Sequence, residues 1–168
     1  MVQTLWDASS LLKRYYLEAG SATEDALFAD VSVRQASTVL GYAETYSILL
    51  RKRNAGVLAT NNFDIAVTAL EDEVLFSPAF DLIELDSAAI LSGIPLMRRH
   101  SINASDAAIL AAFLRYSRAQ PLGGQPCVLI ASDQRLLRAA AAEGLGMMPE
   151  LVAPVDVPAR LAAPSPLP

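Results

Sequence analysis

Four acidic residues lie at or near the expected starts of helices, where carboxylates can be brought together for chemistry. They are Asp7, Glu44, Asp106 and Asp133. Asp7 directly follows the buried-strand pattern VQTLW, and Asp133 directly follows the apolar run CVLIAS. Ligands of open parallel sheets bind beyond the C-terminal ends of strands, so these two carboxylates are candidates for one site. Four carboxylates in one pocket repel each other unless some are protonated or a cation is bound, and oxygen ligands favour Mg²⁺ or Mn²⁺ over zinc.

Helix capping is a competing explanation for the acids that follow the strands. Ser9 or Ser10 can cap a helix that begins after Asp7. Ser132 can cap the last main helix, with Asp133 in its first turn, where a negative charge suits the helix dipole. For each acid taken alone the sequence leaves both explanations open, and only the set of four favours a shared site.

The two remaining acids differ in how well capping explains them. Asp106 lies three residues after Asn103, a spacing that resembles a capping box. Glu44 lies in GYAETYSILL, near the expected first turn of its helix or facing inward among apolar residues. A buried carboxylate needs a cation, a proton or hydrogen-bond donors, so an inward-facing Glu44 would indicate a functional site.

Alternating strand and helix patterns surround these acids. Strands are predicted at VQTLW, VRQASTV, FDLIELD, CVLIAS and MMPELV, with helical spacing between them. We expect the first helix to end at Gly20, the second to be capped by Thr23, and Gly93 and Pro95 to break or kink a later one. The pattern predicts an α/β fold, a three-layer α/β/α sandwich around a central, mostly parallel sheet.

Composition narrows the class of protein. The 168 residues are 53% hydrophobic and 18% charged, which predicts one globular domain. No segment resembles a signal peptide or a membrane span. The single cysteine, Cys127, and the single histidine, His100, exclude an internal disulfide and a zinc site built from these residue types. We therefore expect a cytoplasmic protein, and we do not expect His100 to act as a catalytic base.

The charge balance leaves a nucleic-acid partner open. A net charge of -5 argues weakly against nucleic acid, but metal-binding carboxylates would raise the acid count where a cation offsets it. The segments LLKRYY, LLRKRN and LMRRH hold seven of the thirteen basic residues. They are either solvated helix faces or surfaces that face phosphates.

Four segments carry a family resemblance: LWDASSLLKRYY, YAETYSILLRKR, NASDAAILAAFL and LIASDQRLLRAA. Their order resembles the four acidic blocks of PIN-domain ribonucleases, in particular the VapC toxins of type II toxin–antitoxin pairs. The resemblance extends to about Val152, and its opening block (acid, any residue, serine, apolar residues, lysine) is the most specific part. It implies a PIN-like nuclease domain over residues 1–153, followed by a Pro- and Ala-rich tail over residues 154–168.

The resemblance also implies an activity and partners. The four acids would be catalytic ligands of one or two Mg²⁺ or Mn²⁺ ions, and the enzyme would hydrolyse RNA phosphodiester bonds. Ser9 matches the hydroxyl residue that supports the first acid, Ser132 precedes the last acid, and Lys13 matches a basic residue that contacts substrate or is merely solvated. The family further implies a homodimer held inactive by a cognate antitoxin, whose peptide packs into the active-site groove.

Two other functions remain as alternatives. A phosphomonoesterase of haloacid dehalogenase type also places an aspartate after its first strand, but it normally needs a second acid two residues later, where this chain has Ser9. A non-catalytic PIN-fold module would act through protein partners only. Presence of all four acids argues against the module.

Overall fold

The computed structural model describes residues 2–120, 126–149 and 154–162. Within these residues the strands are β1 (Val2–Trp6), β2 (Val33–Thr38), β3 (Phe80–Ile83), β4 (Cys127–Ala131) and β5 (Gly146–Pro149). The helices are α1 (Ala8–Leu11), α2 (Ser21–Ala29), α3 (Val39–Asn54), α4 (Thr60–Leu70), α5 (Ser87–His100), α6 (Ala104–Ala119), α7 (Gln134–Ala142) and α8 (Val157–Ala162). None of the described helices is long and apolar enough to cross a bilayer.

The five strands form one sheet in the order β3-β2-β1-β4-β5, and every neighbouring pair is parallel. The chain builds outward from β1 to β3 on one side and then from β4 to β5 on the other. Strand order therefore reverses between β1 and β4, and ligands of such sheets bind at this reversal, beyond the C-terminal strand ends. The predicted α/β class and its central parallel sheet are confirmed, as are all five predicted strands.

Helices cover both faces of the sheet. Side chains alternate along β1, so Leu5 packs in one buried cluster with residues of α5, α6 and α7. Trp6 packs in a second cluster with residues of α2, α3, α4 and α8. On β4, Leu129 and Ile130 divide in the same way. Because both faces are buried, β4 is apolar throughout, as the sequence predicted for CVLIAS, whereas β1 and β2 also bury polar side chains, among them Thr4 and Gln35.

The first helix is shorter than predicted. After α1 the chain makes one 3-10 turn (Leu12–Arg14), and Gly20 precedes α2 instead of ending the first helix. Gly20 has φ of 99°, a left-handed conformation that glycine adopts without a steric cost. Its carbonyl accepts from the N–H of Thr23 at 2.9 Å, so Thr23 lies inside α2 and is not its N-cap.

Two further helix starts differ from prediction. α3 begins at Val39, because Thr38 caps it by accepting from the N–H of Gly41 at 2.9 Å. Glu44 is thus the sixth residue of α3 and not in its first turn. The pattern TNNFDIAVTALEDEVL also predicts a helix with Thr60 or Asn61 as its N-cap, but α4 begins at Thr60 and its N-cap is Ala59.

The expected break in α5 does not occur. The helix runs through Gly93 and Pro95, and Pro95 lies on its exposed side, where water can reach the carbonyl that the proline leaves without an N–H donor. Gly93 is buried against α6: a Cβ there would lie 2.9 Å from the carbonyl oxygen of Ala107. The glycine therefore permits the close approach of two helices and does not interrupt one.

Part of the predicted tail is folded. A 3-10 turn (Pro154–Asp156) leads into α8, where Val157 and Leu161 are buried in the second core cluster. The predicted domain boundary at residue 153 and the end of the tail at 163–168 lie outside the described residues and stay predictions. The segment PLGGQP, which the sequence predicts as a turn or loop, also lies mostly outside the described residues.

Replacing Gly93 by alanine should destabilise the protein. The added methyl meets the backbone of α6, and overpacking of this kind costs about 1–3 kcal/mol, which exceeds the ~1 kcal/mol that alanine gains in helix propensity. Urea unfolding monitored by circular dichroism should show a lower midpoint for Gly93→Ala. The exposed neighbour Ser92→Ala should stay within about 0.5 kcal/mol of wild type. Equal stability of both variants would show that the helices do not approach this closely.

Candidate active site

Asp7 lies at the exit of β1, and it is only 7% exposed. It is the N-cap of α1, where Oδ2 accepts from the N–H of Ser9 at 2.9 Å and from the Ser9 hydroxyl. Its own N–H donates to the carbonyl of Ile130 on β4 at 3.0 Å. Burial raises the pKa of Asp7, and the charge of Asp133 raises it further, while the Ser9 bonds oppose both.

Ser9 ties the exits of β1 and β4 together. Its Oγ accepts from the N–H of Ser132 at 3.0 Å, and the Ser132 hydroxyl donates to the Ser9 carbonyl at 3.1 Å. The Ser9 hydroxyl therefore contacts Asp7 and Ser132 at once. These contacts place the two predicted supporting serines between the first and last acids.

Asp133 caps α7 directly. Its Oδ1 accepts from the N–H groups of Arg135 at 2.7 Å and Leu136 at 3.2 Å, so the cap is Asp133 and not Ser132. Both bonds end on one carboxylate oxygen. The Asp133 charge nevertheless raises the pKa values of Asp7 and Asp106, so capping and membership of the acidic cluster coexist.

Asp106 forms the predicted capping arrangement with Asn103. Asn103 Oδ1 accepts from the N–H of Asp106, and Asn103 Nδ2 donates to Asp106 Oδ2, both at 2.8 Å. Burial raises the pKa of Asp106 to about 6, with added contributions from the charges of Asp7 and Asp133. Arg135, which the sequence analysis did not single out, opposes this shift. The position of Arg135, two residues after Asp133, is the sequence feature that could have indicated a basic residue beside the acids.

Glu44 joins the cluster from the second turn of α3. It is half-buried, and burial raises its pKa first, followed by the charges of Asp7 and Asp106. Arg51, which follows on the same helix, lowers the pKa of Glu44. The inward-facing alternative for Glu44 is therefore the one that the structure favours.

The structure brings all four predicted acids into one electrostatic cluster, in which the charge of at least one other acid raises the pKa of each of Asp7, Glu44 and Asp106. Among the described residues, no three Asp, Glu, His or Cys side chains lie close enough to hold an ion. The cluster is thus not a preformed coordination shell. Its donors are all carboxylate oxygens, and burial together with neighbouring negative charge raises the pKa of Asp7, Glu44 and Asp106, a set that fits a hard divalent cation.

Lys13 lies away from solvent, with 6% of its side chain exposed. Its Nζ donates to the carbonyl of Ala19 at 2.7 Å and lies 3.6 Å from Glu18 Oε1. These contacts favour a structural role in the turn between α1 and α2. A contact of Lys13 with substrate stays a prediction.

An apolar groove of about 710 Å³ opens beside the acids. Its lining includes Ala43 and Ser105, the residues that precede Glu44 and Asp106, together with Leu40, Leu85 and Ile90. Ile90 is 54% exposed. The groove joins α3, α5, α6 and the segment after β3, so no single stretch of sequence indicates it.

The chain shares its fold with several solved structures. PAE2754 of Pyrobaculum aerophilum is 18% identical, with 94% of this chain and 90% of that one covered and a TM-score of 0.61. VapC20 of Mycobacterium tuberculosis, a sarcin-ricin loop cleaving toxin, is 16% identical over 84% and 95% of the two chains, with a TM-score of 0.59. A chain of a toxin–antitoxin complex from Klebsiella pneumoniae is 16% identical over 90% and 97%, with a TM-score of 0.51.

These likenesses confirm the PIN-like fold that the sequence resemblance implied. Identities this low establish the fold alone, and the activity has to be argued from the site. Comparison of the sequence with protein-family models and with curated proteins gives no match.

The raised pKa of Asp106 predicts how metal-free stability depends on pH. In the fold its pKa is about 6 against a usual 3.8, so between these values the folded protein holds a proton that the unfolded chain has released. This contribution to stability is complete below pH 3.8 and is lost as the pH rises through 6. In EDTA, raising the pH from 3.8 to above 6 should therefore reduce the stability of wild type more than that of Asp106→Asn.

Urea midpoints measured across that range test this expectation. Asp64→Asn, which removes an exposed carboxylate of α4, is the matched control and should follow wild type. If Asp106→Asn and wild type give parallel pH profiles, Asp106 is not in a crowded acidic environment.

Removing the Ser9 hydroxyl should affect Asp7 more than the fold. Ser9→Ala deletes a bond that lowers the pKa of Asp7, so that pKa should rise. The Ser132 N–H also loses its acceptor, at a cost of about 1 kcal/mol. Carboxyl ¹³C NMR titration measures the first effect and urea unfolding the second. Ser87→Ala, at the exposed start of α5, should change neither the pKa of Asp7 nor the urea midpoint. An unchanged Asp7 pKa in Ser9→Ala would contradict the hydrogen bond between Ser9 and Asp7.

Proposed function

We propose that this protein is a metal-dependent ribonuclease that hydrolyses RNA phosphodiester bonds, and that it is the toxin of a type II toxin–antitoxin pair. The observation that carries the proposal is the convergence of four carboxylates at the C-terminal edge of a PIN-like sheet, where the charge of at least one other acid raises the pKa of Asp7, Glu44 and Asp106. Structural proteins seldom concentrate like charges at this cost, whereas catalytic sites do so to bind and activate.

The proposed cofactor is Mg²⁺ or Mn²⁺, held by Asp7, Glu44, Asp106 and Asp133. A bound ion supplies charge neutralisation, a more acidic water and stabilisation of the leaving oxygen. Mg²⁺ retains several waters, so few direct carboxylate contacts are enough, which suits acids that are near one another without forming a closed shell.

The side chains divide the remaining work. Asp7 is fixed by Ser9 and has the least freedom, which suits a positioning ligand. Asp106 has a pKa of about 6, so it can accept a proton near neutral pH and is the better candidate for a general base, with Glu44 as the other. Arg51 lies on the same helix as Glu44, and we assign it to attraction of the substrate phosphates.

Control of the activity would come from an antitoxin. Solved relatives in fold include a chain of a toxin–antitoxin complex. The apolar groove beside Glu44 and Asp106 is the surface that we propose for the antitoxin peptide, since a peptide lying there would also cover the acids. A homodimer, as in the resembling family, completes the proposed assembly.

A non-catalytic PIN-fold module is the second candidate, favoured by the lack of a closed ligand set among the described acids and by the exposed apolar groove. A phosphomonoesterase of haloacid dehalogenase type is disfavoured, because Ser9 occupies the position of that class's second acid and supports Asp7 instead.

Metal titration and RNA cleavage test the proposal together. Millimolar Mn²⁺ should raise the melting temperature of wild type, because an ion that binds only the folded state stabilises it, and the shift should shrink in Asp7→Asn. Labelled RNA should be cleaved with Mg²⁺ or Mn²⁺, not in EDTA, and at least ~100-fold more slowly by Asp7→Asn. Asp64→Asn should match wild type in both assays.

The alternatives predict different results. A melting temperature that does not respond to metal, together with intact RNA, would support the interaction module. Phosphate release from a small phosphomonoester with no RNA cleavage would support the phosphatase. Either outcome would overturn the proposed nuclease.

A further inference from the structure

A second cavity, of about 380 Å³, lies between α5 and α6 and is rich in arginine. Its lining includes three arginines, Arg99 of α5 and Arg115 and Arg118 of α6, one carboxylate, Glu143, and the apolar side chains of Leu96 and Leu114. This cavity shares no lining residue with the groove beside the acids. Three guanidinium groups around one concavity distinguish it in a chain of net charge -5.

The cavity has three arginines, and these form ion pairs with only two carboxylates among the described residues. Arg99 pairs with Glu143, and Arg115 donates to both oxygens of Asp86 at 2.9 and 3.1 Å. Arg118 makes no ion pair within the described residues. The side chains of Arg99 and Arg115 are 60% and 48% exposed, so an incoming anion can reach them. The cavity therefore has an excess of positive charge that is open to solvent.

We propose that this arginine cavity binds a backbone phosphate of the RNA substrate, away from the site of cleavage. The inference rests on the proposed ribonuclease function. Guanidinium groups stay charged at neutral pH and present parallel N–H donors that match phosphate oxygens, so an arginine without an ion pair beside two exposed arginines suits a phosphate.

Helix α6 connects the cavity to the acids. Asp106 is in its first turn, and Arg118 follows twelve residues later, which corresponds to about 18 Å along the axis and about a third of a turn around it. The phosphate held by the cavity is therefore not adjacent to the cleaved bond. It would anchor a longer RNA on the same helix that carries Asp106.

Binding of single-stranded RNA in EDTA, followed by fluorescence anisotropy, tests the cavity without cleavage. The variant Arg115→Gln/Arg118→Gln should bind a labelled mixed-sequence RNA about tenfold more weakly at moderate salt, and its salt slope should fall by about 1.4, or 0.7 for each lost contact. Arg34→Gln/Arg138→Gln is the matched control: Arg34 is paired with Asp81 and is 47% exposed, and Arg138 is an exposed residue of α7. The control should change affinity less than twofold.

A single-arginine variant and inorganic phosphate separate the possible ligands of the cavity. Arg118→Gln alone removes no described ion pair, so it should fold normally and still weaken RNA binding. Unchanged RNA affinity in Arg118→Gln would overturn the proposal. An equal loss of affinity in Arg115→Gln/Arg118→Gln and in Arg34→Gln/Arg138→Gln would overturn it as well. If inorganic phosphate raises the melting temperature through these arginines while RNA affinity is unchanged, a free phosphorylated ligand replaces RNA.

The proposal and the ribonuclease function fail separately. Wild type that binds RNA through the arginines but never cleaves it with Mg²⁺ or Mn²⁺ would overturn the nuclease and keep a phosphate-binding surface. If wild type cleaves RNA but the Arg115→Gln/Arg118→Gln variant binds RNA with the same affinity as wild type, the nuclease stands and the cavity is not an RNA site.

Discussion

The parallel pairing of β1 with β4 is the constraint on which the candidate site depends. It places Trp6 opposite Ile130, so the chain leaves both strands at neighbouring points of one edge. Asp7 then donates its N–H to Ile130, and Ser9 contacts Ser132 through two hydrogen bonds. These bonds hold two like charges near each other at the edge of the sheet. The resulting repulsion is an electrostatic cost that sheet pairing and helix packing offset.

Helix capping and the acidic cluster use the same side chains. Asp133 caps α7 through one oxygen, and Asp106 shares a reciprocal pair of bonds with Asn103 at the start of α6. The N-termini of these helices carry partial positive charge, which reduces the cost of gathering carboxylates there. Capping is therefore part of how the site is held and not an alternative to it. Hydrogen bonds within the fold therefore orient three of the acids, Asp7, Asp106 and Asp133.

The α5–α6 hairpin gives the molecule two chemically different surfaces. Close packing at Gly93 brings the helices together, and the apolar groove forms where α5 and α6 meet α3. Along the same pair of helices, the arginines gather around the second cavity. One hairpin thus borders an apolar surface suited to protein and a cationic surface suited to phosphate. Under the two proposals, a peptide partner and an RNA anchor would occupy different parts of one domain.

The sequence by itself determined the alternation of strands and helices, because local apolar periodicity depends on near neighbours only. It also identified the acids at strand exits. Only the tertiary structure decided that Asp7 caps its own helix, that Gly93 serves close packing, and that Glu44 faces the cluster. It alone placed Lys13 in a turn and gathered the arginines of α5 and α6. The packing at Gly93, the placement of Glu44 and the grouping of the arginines depend on contacts between residues distant in sequence, which local pattern does not record. The contacts of Asp7 and Lys13 are local, but each is one of several arrangements that the sequence allows.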